Sequence, residues 1–281
     1  MDTTPRSSVQ TDADFRTPVV IGLLYPGYAA EDDFPLLAAR SATPATAALV
    51  HTSLGEDAHR VDALLDLGAS NRLLDGVRRL AGSNPDSVMW ACTSGSFVFG
   101  WEGARAQVEA VALASGKPAS STSFAFVAAL HAIEAARVTV IATYPRDVAD
   151  HFVAFLERAG TDVLALHPLG IPTAEQAGHV DRETVLQAAV SGNHQSADAV
   201  LLPDTALHTA AFLDELETAV GKPVLTANQV TFWCGLALCG RFQPQEGLGT
   251  CFRRPAPPSL GDLACGALPS CSAPPPRSSK S

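Results

Sequence analysis

The chain has 281 residues and lacks the features that mark several large classes of protein. Its six cysteines include no Cys-x-x-Cys pair, which argues against a zinc knuckle and against a redox dithiol. Its Lys and Arg residues form no cluster, so we expect no nucleic-acid partner. No apolar run approaches the ~18 residues of a membrane span, and residues 1–17 lack the basic start and apolar run of a signal peptide. We therefore expect no membrane partner.

The remaining composition is that of a folded protein with a sizeable core. Hydrophobic residues make up 47% of the chain, and the net charge of −10 is spread along it. Cysteines that lie apart from one another are typical of a reduced protein, which predicts a cytoplasmic location. His59 lies near two acidic residues, but this spacing lacks a third ligand, so we predict no metal site.

Short apolar segments alternate with helical patterns in two similar rounds. Each round opens with an apolar strand that ends in Tyr-Pro, at residues 25–26 and 144–145. Each also has a third strand that ends in a polar turn, at residues 92–93 and 204–205. Strands that alternate with helices form parallel sheets. The pattern therefore predicts an α/β fold of two similar lobes with parallel sheets, related by a pseudo-twofold axis, with the active site in the cleft between them.

The limits of the lobes follow from where this pattern repeats and where it stops. We assign residues 18–123 and 224–253 to the first lobe, and residues 124–223 to the second. Residues 1–17 are polar and mixed in charge, which predicts a disordered leader. Residues 254–281 are rich in Pro, Ser and Gly without periodicity, which predicts a disordered tail.

The most informative stretch is the apolar strand that ends at Cys92 and continues into Thr93 and Ser94. Ligands of open α/β sheets bind beyond the carboxyl ends of the strands. Hydroxyls and backbone N–H groups at a turn that enters a helix suit an anion, and the helix should lower the pKa of a nearby thiol. This predicts a carboxylate site with Cys92 as nucleophile or acid/base. The alternatives are that the hydroxyls only cap the helix and that the thiol is structural.

Asp204 occupies the corresponding turn of the second lobe. Two acid/base groups on opposite faces of one carbon suit isomerisation or stereospecific protonation. Asp204 is equally suited to capping a helix that begins near Thr209, or to binding a substrate ammonium or hydroxyl group. Further candidates for substrate binding are Thr205, Tyr28 and Asn228, and for Asn228 a purely structural role in its turn is the alternative.

Three motifs resemble one known family. Residues 91–100 (Ala-Cys-Thr-Ser-Gly-Ser-Phe-Val-Phe-Gly), 142–148 (Ala-Thr-Tyr-Pro-Arg-Asp-Val) and 223–233 (Pro-Val-Leu-Thr-Ala-Asn-Gln-Val-Thr-Phe-Trp) carry the resemblance. They are similar to the maleate cis–trans isomerase and arylmalonate decarboxylase branch of the aspartate/glutamate racemase superfamily. The resemblance covers roughly residues 18–253.

This resemblance implies two α/β lobes with the site between them, and chemistry without a metal or an organic cofactor. It implies that Cys92 is the first of two family cysteines, that Thr93 and Ser94 bind carboxylate, and that Tyr144 closes the carboxylate pocket. Asp204 stands where the family has its second cysteine, so a mechanism with two thiols is not available.

We therefore expect a cofactor-independent isomerase of a small carboxylate, similar to maleate cis–trans isomerase. One alternative is an arylmalonate-type decarboxylase or a racemase that acts through an enediolate. Another is a carboxylate-binding protein without turnover. The expected partner is a small carboxylate, and a homo-oligomer remains open.

Overall fold

Eight short strands form two separate four-stranded parallel sheets in residues 17–265, the part of the chain that this computed structural model describes. The first sheet has the order β2-β1-β3-β4 and consists of β1 (Val19–Pro26), β2 (Ala45–Thr52), β3 (Ser87–Trp90) and β4 (Ala119–Ser121). The second has the order β6-β5-β7-β8 and consists of β5 (Arg137–Ala142), β6 (Asp162–Pro168), β7 (Ala199–Leu202) and β8 (Val224–Thr226). The second sheet thus repeats the strand order of the first, with each strand number raised by four. The predicted fold class is confirmed.

The helices lie between the strands, as parallel pairing requires. They are α1 (Asp33–Arg40), α2 (Val61–Leu67), α3 (Ser70–Leu80), α4 (Ser94–Phe97), α5 (Gly100–Ser115), α6 (Thr122–Ala132), α7 (Arg146–Arg158), α8 (Ala174–Gly178), α9 (Arg182–Ser191), α10 (Leu213–Val220), α11 (Ala227–Leu238) and α12 (Thr250–Arg253). No helix in residues 17–265 combines the length and the apolar character needed to cross a membrane.

Burial explains which segments became strands and which became helices. The middle strands β3 and β7 are buried at every position, which suits their unbroken apolar sequence. Helix α3 instead has apolar residues on one face, with Leu73, Val77 and Leu80 buried, and Arg78 and Arg79 exposed on the other. Helices α6 and α11 are buried on almost all sides and pack against each other, and Thr122 Oγ1 lies 2.7 Å from Thr231 Oγ1 across their contact.

The prediction of a disordered tail from residue 254 is wrong for residues 254–265. A 3₁₀ helix covers Pro258–Leu263, and its Leu260 and Leu263 are buried. Cys265 then pairs with Ala119 at the edge of β4 through two backbone hydrogen bonds. Two apolar anchors and a free sheet edge thus order a segment whose overall composition indicates disorder. The predictions for residues 1–16 and 266–281 lie outside the described residues. The assignment of residues 224–226 to the first lobe is wrong, because β8 pairs with β7 in the second sheet. The rest of the boundary between the lobes stays a prediction.

Candidate active site

The turns that follow β3 and β7 meet between the two sheets. Cys92 follows β3 and Asp204 follows β7, each beyond the carboxyl end of its strand. Tyr25, near the end of β1, joins the first sheet to the turn after β7, because its hydroxyl donates a 2.9 Å hydrogen bond to the carbonyl oxygen of Thr205. A cavity lies at this junction, and its walls include Tyr25, Leu54, His59, Leu67, Cys92, Ser94, Asp204 and Thr205. The arrangement agrees with the predicted position of the site.

The Cys92 thiol is almost completely buried, with 4% of the residue exposed. Its sulfur accepts a 3.2 Å hydrogen bond from Gly95 N and lies 3.8 Å from Ser94 Oγ. Burial nevertheless raises the pKa of Cys92 to about 12, and the negative charge of Asp204 adds to the rise. The expectation of a lowered pKa is therefore wrong, because the four-residue α4 offers little compensation for the loss of solvent.

Gly95 is required by the close packing around this sulfur. A Cβ atom at residue 95 would lie 2.7 Å from Leu67 Cδ2, 2.9 Å from Trp90 Cζ2 and 3.1 Å from the Cys92 sulfur. All three distances are shorter than ordinary van der Waals contact. The glycine therefore lets the first turn of α4 approach the thiol closely enough for Gly95 N to donate to it.

The predicted carboxylate-binding hydroxyls lie on and just behind the cavity wall. Ser94 lines the cavity, whereas Thr93 and Tyr144 are buried next to it. Thr93 Oγ1 makes no cap to α4 and has no hydrogen-bond partner, so the capping alternative does not explain it. The Tyr144 hydroxyl donates a 2.5 Å hydrogen bond to the carbonyl oxygen of Pro203. Burial, aided by the nearby Asp204, raises the pKa of Tyr144 well above its usual value, so this phenol stays protonated.

Asp204 is held in place from both sides. Thr143 Oγ1 donates to one carboxylate oxygen, and Ala206 N donates to the other over 2.9 Å. The residue is 5% exposed and lines the cavity. The alternative of a helix cap is wrong, because α10 begins only at Leu213 and Asp204 instead closes a local turn. Thr143 was not singled out in the sequence, where nothing relates it to a residue 61 positions away.

The structure places Tyr28 away from the cavity. Gly27 has a φ of +68°, which turns the chain outward, and the following Tyr28 is 75% exposed. Its ring stacks on His51 at 3.9 Å, on an outer surface beside β2. The predicted role of Tyr28 in substrate binding is not supported by this position.

Asn228 is likewise not among the residues that line the cavity. Its amide nitrogen donates to Asp33 over 3.1 Å and to the Thr205 carbonyl oxygen over 3.1 Å, and the residue is fully buried. Asp33 in turn accepts hydrogen bonds from Thr209 N and Ala210 N. Asn228 therefore supports the turn that carries Thr205 and Asp204 and does not line the cavity itself.

His59 is a cavity residue that the sequence suggested only as a discounted metal ligand. Its Nδ1 lies 2.7 Å from the carbonyl oxygen of Ile171, and its backbone N–H donates to the carbonyl of Pro172. A carbonyl oxygen can only accept, so Nδ1 carries the proton and Nε2 has a free lone pair when the ring is neutral. The ring stands edge-on to Tyr144 at 4.8 Å. No spacing in the sequence links His59 to Cys92, since the two meet only in the fold.

Two loops from opposite lobes cover the cavity. Asp57 accepts hydrogen bonds from Ala174 N (2.9 Å) and Glu175 N (3.1 Å), at the first turn of α8. The cavity below has a volume of about 30 Å³, which is room for about one water molecule. The cavity is narrow, so we expect the two loops to separate when a four-carbon acid binds next to Cys92.

The cavity contains negative charge without a fixed positive charge. Asp57 and Asp204 both line it, whereas none of its described wall residues is Lys or Arg. Within residues 17–265 no three His, Cys, Asp or Glu side chains are grouped as metal ligands, and the five cysteines there are free. Binding of a carboxylate at this site would therefore depend on hydroxyl and backbone donors.

Comparison with known proteins gives concordant matches. The sequence model of the family described as arylmalonate decarboxylase matches residues 67–252. An arylmalonate decarboxylase of Bordetella bronchiseptica is 29% identical over 170 residues, which are 60% of this chain and 71% of that protein. A maleate isomerase of Nocardia farcinica is 30% identical over 158 residues, which are 54% of this chain and 62% of that enzyme.

Solved structures show the same fold. The maleate cis–trans isomerase of Nocardia farcinica, as a variant with a covalently bound succinylcysteine intermediate, superimposes with a TM-score of 0.76. The match covers 84% of this chain and 99% of that structure, at 23% sequence identity.

Proposed function

This chain belongs to the arylmalonate decarboxylase family, and from that premise we propose that it is a cis–trans isomerase of a small unsaturated carboxylate. The predicted kinship with the branch that contains maleate isomerases and arylmalonate decarboxylases is confirmed. One observation carries the proposal: the Cys92 thiol lines the cavity between the lobes, next to hydroxyls suited to a carboxylate and together with Asp204. A related maleate isomerase forms a succinylcysteine intermediate, which requires a thiol that can add to a double bond.

The proposed reaction is an addition followed by an elimination. The Cys92 sulfur forms a bond to one olefinic carbon, and the electron pair of the double bond moves through the other carbon into the carboxylate attached to it. The former double bond is now single and rotates. Return of the electron pair expels the sulfur and yields the trans isomer, with no net gain or loss of atoms or electrons.

The hydroxyls next to Cys92 would stabilise the enediolate that forms in this step. Ser94 lines the cavity, and the buried Thr93 Oγ1 has no partner at ordinary hydrogen-bond geometry, although it lies close enough to the Tyr144 hydroxyl to act on its pKa. Tyr144 stays protonated and its hydroxyl is available to a ligand that displaces the Pro203 carbonyl oxygen. A well-placed donor to such an oxyanion contributes about 3 kcal/mol or more to the lowering of the barrier.

The raised pKa of Cys92 means that a base must take its proton before the sulfur adds. We assign this role to His59, whose Nε2 lone pair is free in the tautomer that the Ile171 carbonyl selects. Both residues line the same small cavity, so we propose that the proton passes between them directly or through a bound water. Asp204 also lines the cavity and is a further polar group available to a substrate.

A screen of carboxylic acids with wild type and Cys92→Ser tests the proposal. Proton NMR of maleate and related cis acids should show their trans isomers with wild type only, and mass spectrometry should find an adduct of one substrate molecule on Cys92. Isomerisation that survives Cys92→Ser would overturn the mechanism. Carboxylate binding without any turnover, unaffected by the substitution, would instead indicate a binding protein.

A second candidate, a decarboxylase or racemase, is favoured by one specific observation. A thiol with a pKa of about 12 is protonated at neutral pH, which suits a proton donor to a carbanion. Cys92 and Asp204 would then act on opposite faces of the carbon next to the carboxylate. Solvent deuterium at that carbon of the product, obtained from an arylmalonate or an α-substituted acid, would support this candidate over the isomerase.

A further inference from the structure

The cavity wall carries two chemically different kinds of polar group. Next to Cys92 in the chain, Ser94 lines the wall, and the hydroxyls of Thr93 and Tyr144 are buried nearby, so these residues offer hydrogen-bond donors. The same wall carries the carboxylate of Asp204. An ionised carboxylate only accepts hydrogen bonds. The donors of the wall therefore suit an anion, and its acceptor suits a hydrogen-bond donor.

Asp204 retains the capacity to bind a ligand although two protein groups already donate to it. Thr143 Oγ1 donates to Oδ2 and Ala206 N donates to Oδ1, one bond for each oxygen. Each carboxylate oxygen accepts about two hydrogen bonds, so each keeps one free site. The charge of Asp204 is felt by its neighbours, because it contributes to the raised pKa values of Tyr25, Cys92 and Tyr144.

No group on the described wall neutralises Asp204. Lys and Arg are absent from it, and the other carboxylate, Asp57, is occupied by the N–H groups of Ala174 and Glu175. The single nearby imidazole, His59, donates its Nδ1 proton away from the cavity to Ile171. A second carboxylate on the substrate would thus lie against Asp204 with no counter-charge, and two such groups do not both stay ionised without cost.

We propose that Asp204 selects a substrate with one carboxylate and, at its other end, a neutral hydrogen-bond donor such as a primary amide, in preference to a dicarboxylate. The inference rests on the proposed isomerase and deepens it by naming the substrate class. In the half-amide of maleic acid, the carboxylate faces the hydroxyls and the amide nitrogen donates to Asp204. The sulfur of Cys92 adds to the carbon next to the amide, and the electron pair moves to the carboxylate side as before.

The test compares three cis acids of nearly equal size: maleate, maleamate and monomethyl maleate. Wild type should isomerise maleamate with a kcat/KM about 100-fold above that of maleate, since a site built for a donor strongly rejects a ligand without one. Monomethyl maleate lacks the second negative charge but supplies no hydrogen-bond donor, so its kcat/KM should lie between those of maleamate and maleate. An ester as good as the amide would show that charge alone is selected, and a preference for maleate would overturn the proposal.

Asp204→Asn is the matched variant, because it keeps the shape of the side chain and removes the charge. The ratio of kcat/KM for maleamate to kcat/KM for maleate should fall at least about tenfold, because maleate is turned over faster and maleamate more slowly. Asp57→Asn removes a charge from the same wall at an occupied carboxylate, and its ratio should change less than about twofold. An unchanged ratio in Asp204→Asn, with its melting temperature preserved, would refute the assignment.

A binding measurement separates this inference from the proposed function. Calorimetry with the saturated analogues succinamate and succinate needs no turnover. If no cis acid is isomerised but succinamate binds about 100-fold more tightly than succinate, the isomerase proposal fails and the selectivity of Asp204 stands. If isomerisation occurs and succinate binds as tightly as succinamate, the isomerase stands and the selectivity is refuted.

Discussion

The burial of Cys92 predicts an unusual dependence of its reactivity on pH. Burial raises the pKa of this thiol from 9.0 to about 12, which corresponds to about 4 kcal/mol of additional cost for the thiolate. Alkylating reagents attack the thiolate only. At pH 8, which lies below both pKa values, each unit of pKa lowers the thiolate population about tenfold. Cys92 should therefore react about 1,000-fold more slowly than an ordinary thiol for electrostatic reasons alone.

The assay is alkylation by iodoacetamide at pH 7 to 10, followed by digestion and mass spectrometry of the peptide that contains Cys92. Its rate should rise about tenfold per pH unit over the whole range, because the thiol is far from half-ionised throughout. Cys265 is partly exposed, so its alkylation rate, measured in the same samples, should be higher and should reach its plateau at a lower pH. Asp204→Asn should speed the reaction of Cys92, because the negative charge of Asp204 contributes to the raised pKa.

Steric protection and a raised pKa are distinguished by the shape of this curve. Restricted access lowers the rate by the same factor at every pH, whereas a raised pKa moves the plateau to higher pH. A plateau for Cys92 below pH 9 would refute the explanation by burial. It would also remove the need for His59 as a base, since the thiol would then ionise unaided.

Three further substitutions test the packing, the outer surface and the closure of the site. Gly95→Ala should destabilise the fold by about 1–3 kcal/mol, because the added Cβ would lie 2.7 Å from Leu67 Cδ2, and its melting temperature should fall. Gly82→Ala is the control, because a Cβ at residue 82 would have open space around it. Equal melting temperatures of the two variants would contradict the packing argument. Tyr28→Ala should leave kcat/KM unchanged for the acid that wild type isomerises fastest, because the ring stacks on an outer surface. A loss beyond about fivefold would show that Tyr28 does contribute to substrate binding. Asp57→Asn should release the loop contact with α8 and raise the rate of product dissociation in stopped-flow measurements, and an unchanged rate would show that this contact does not limit opening.

The repeated pattern of strands and turns was sufficient to predict the architecture. Two rounds of apolar segments, each with a polar turn after its third strand, predicted two equivalent sheets, and the strand orders are the same in both. This works because apolar periodicity depends on neighbouring residues and is preserved in any fold that buries the strands. The positions of Cys92 and Asp204 followed for the same reason, since corresponding strand ends in two similar lobes face one cleft.

Other features depended on contacts between distant parts of the chain. His59 and Thr143 reach the site through loops or strands whose sequence has no relation to Cys92 or Asp204. Tyr28 leaves the site because one residue with positive φ turns the chain outward. Residues 254–265 are ordered because a sheet edge is available to them.

The amino-acid sequence by itself determined the α/β class, the two-lobed repeat and the chemical identity of the groups at the strand ends: a thiol with hydroxyls in one lobe and a carboxylate in the other. The tertiary structure alone decided the protonation state of that thiol, the base within reach of it and the volume left for a ligand. The pKa of Cys92 shows the physical reason. A local rule about helix ends predicted that it would be lowered, whereas burial by residues from both lobes raises it.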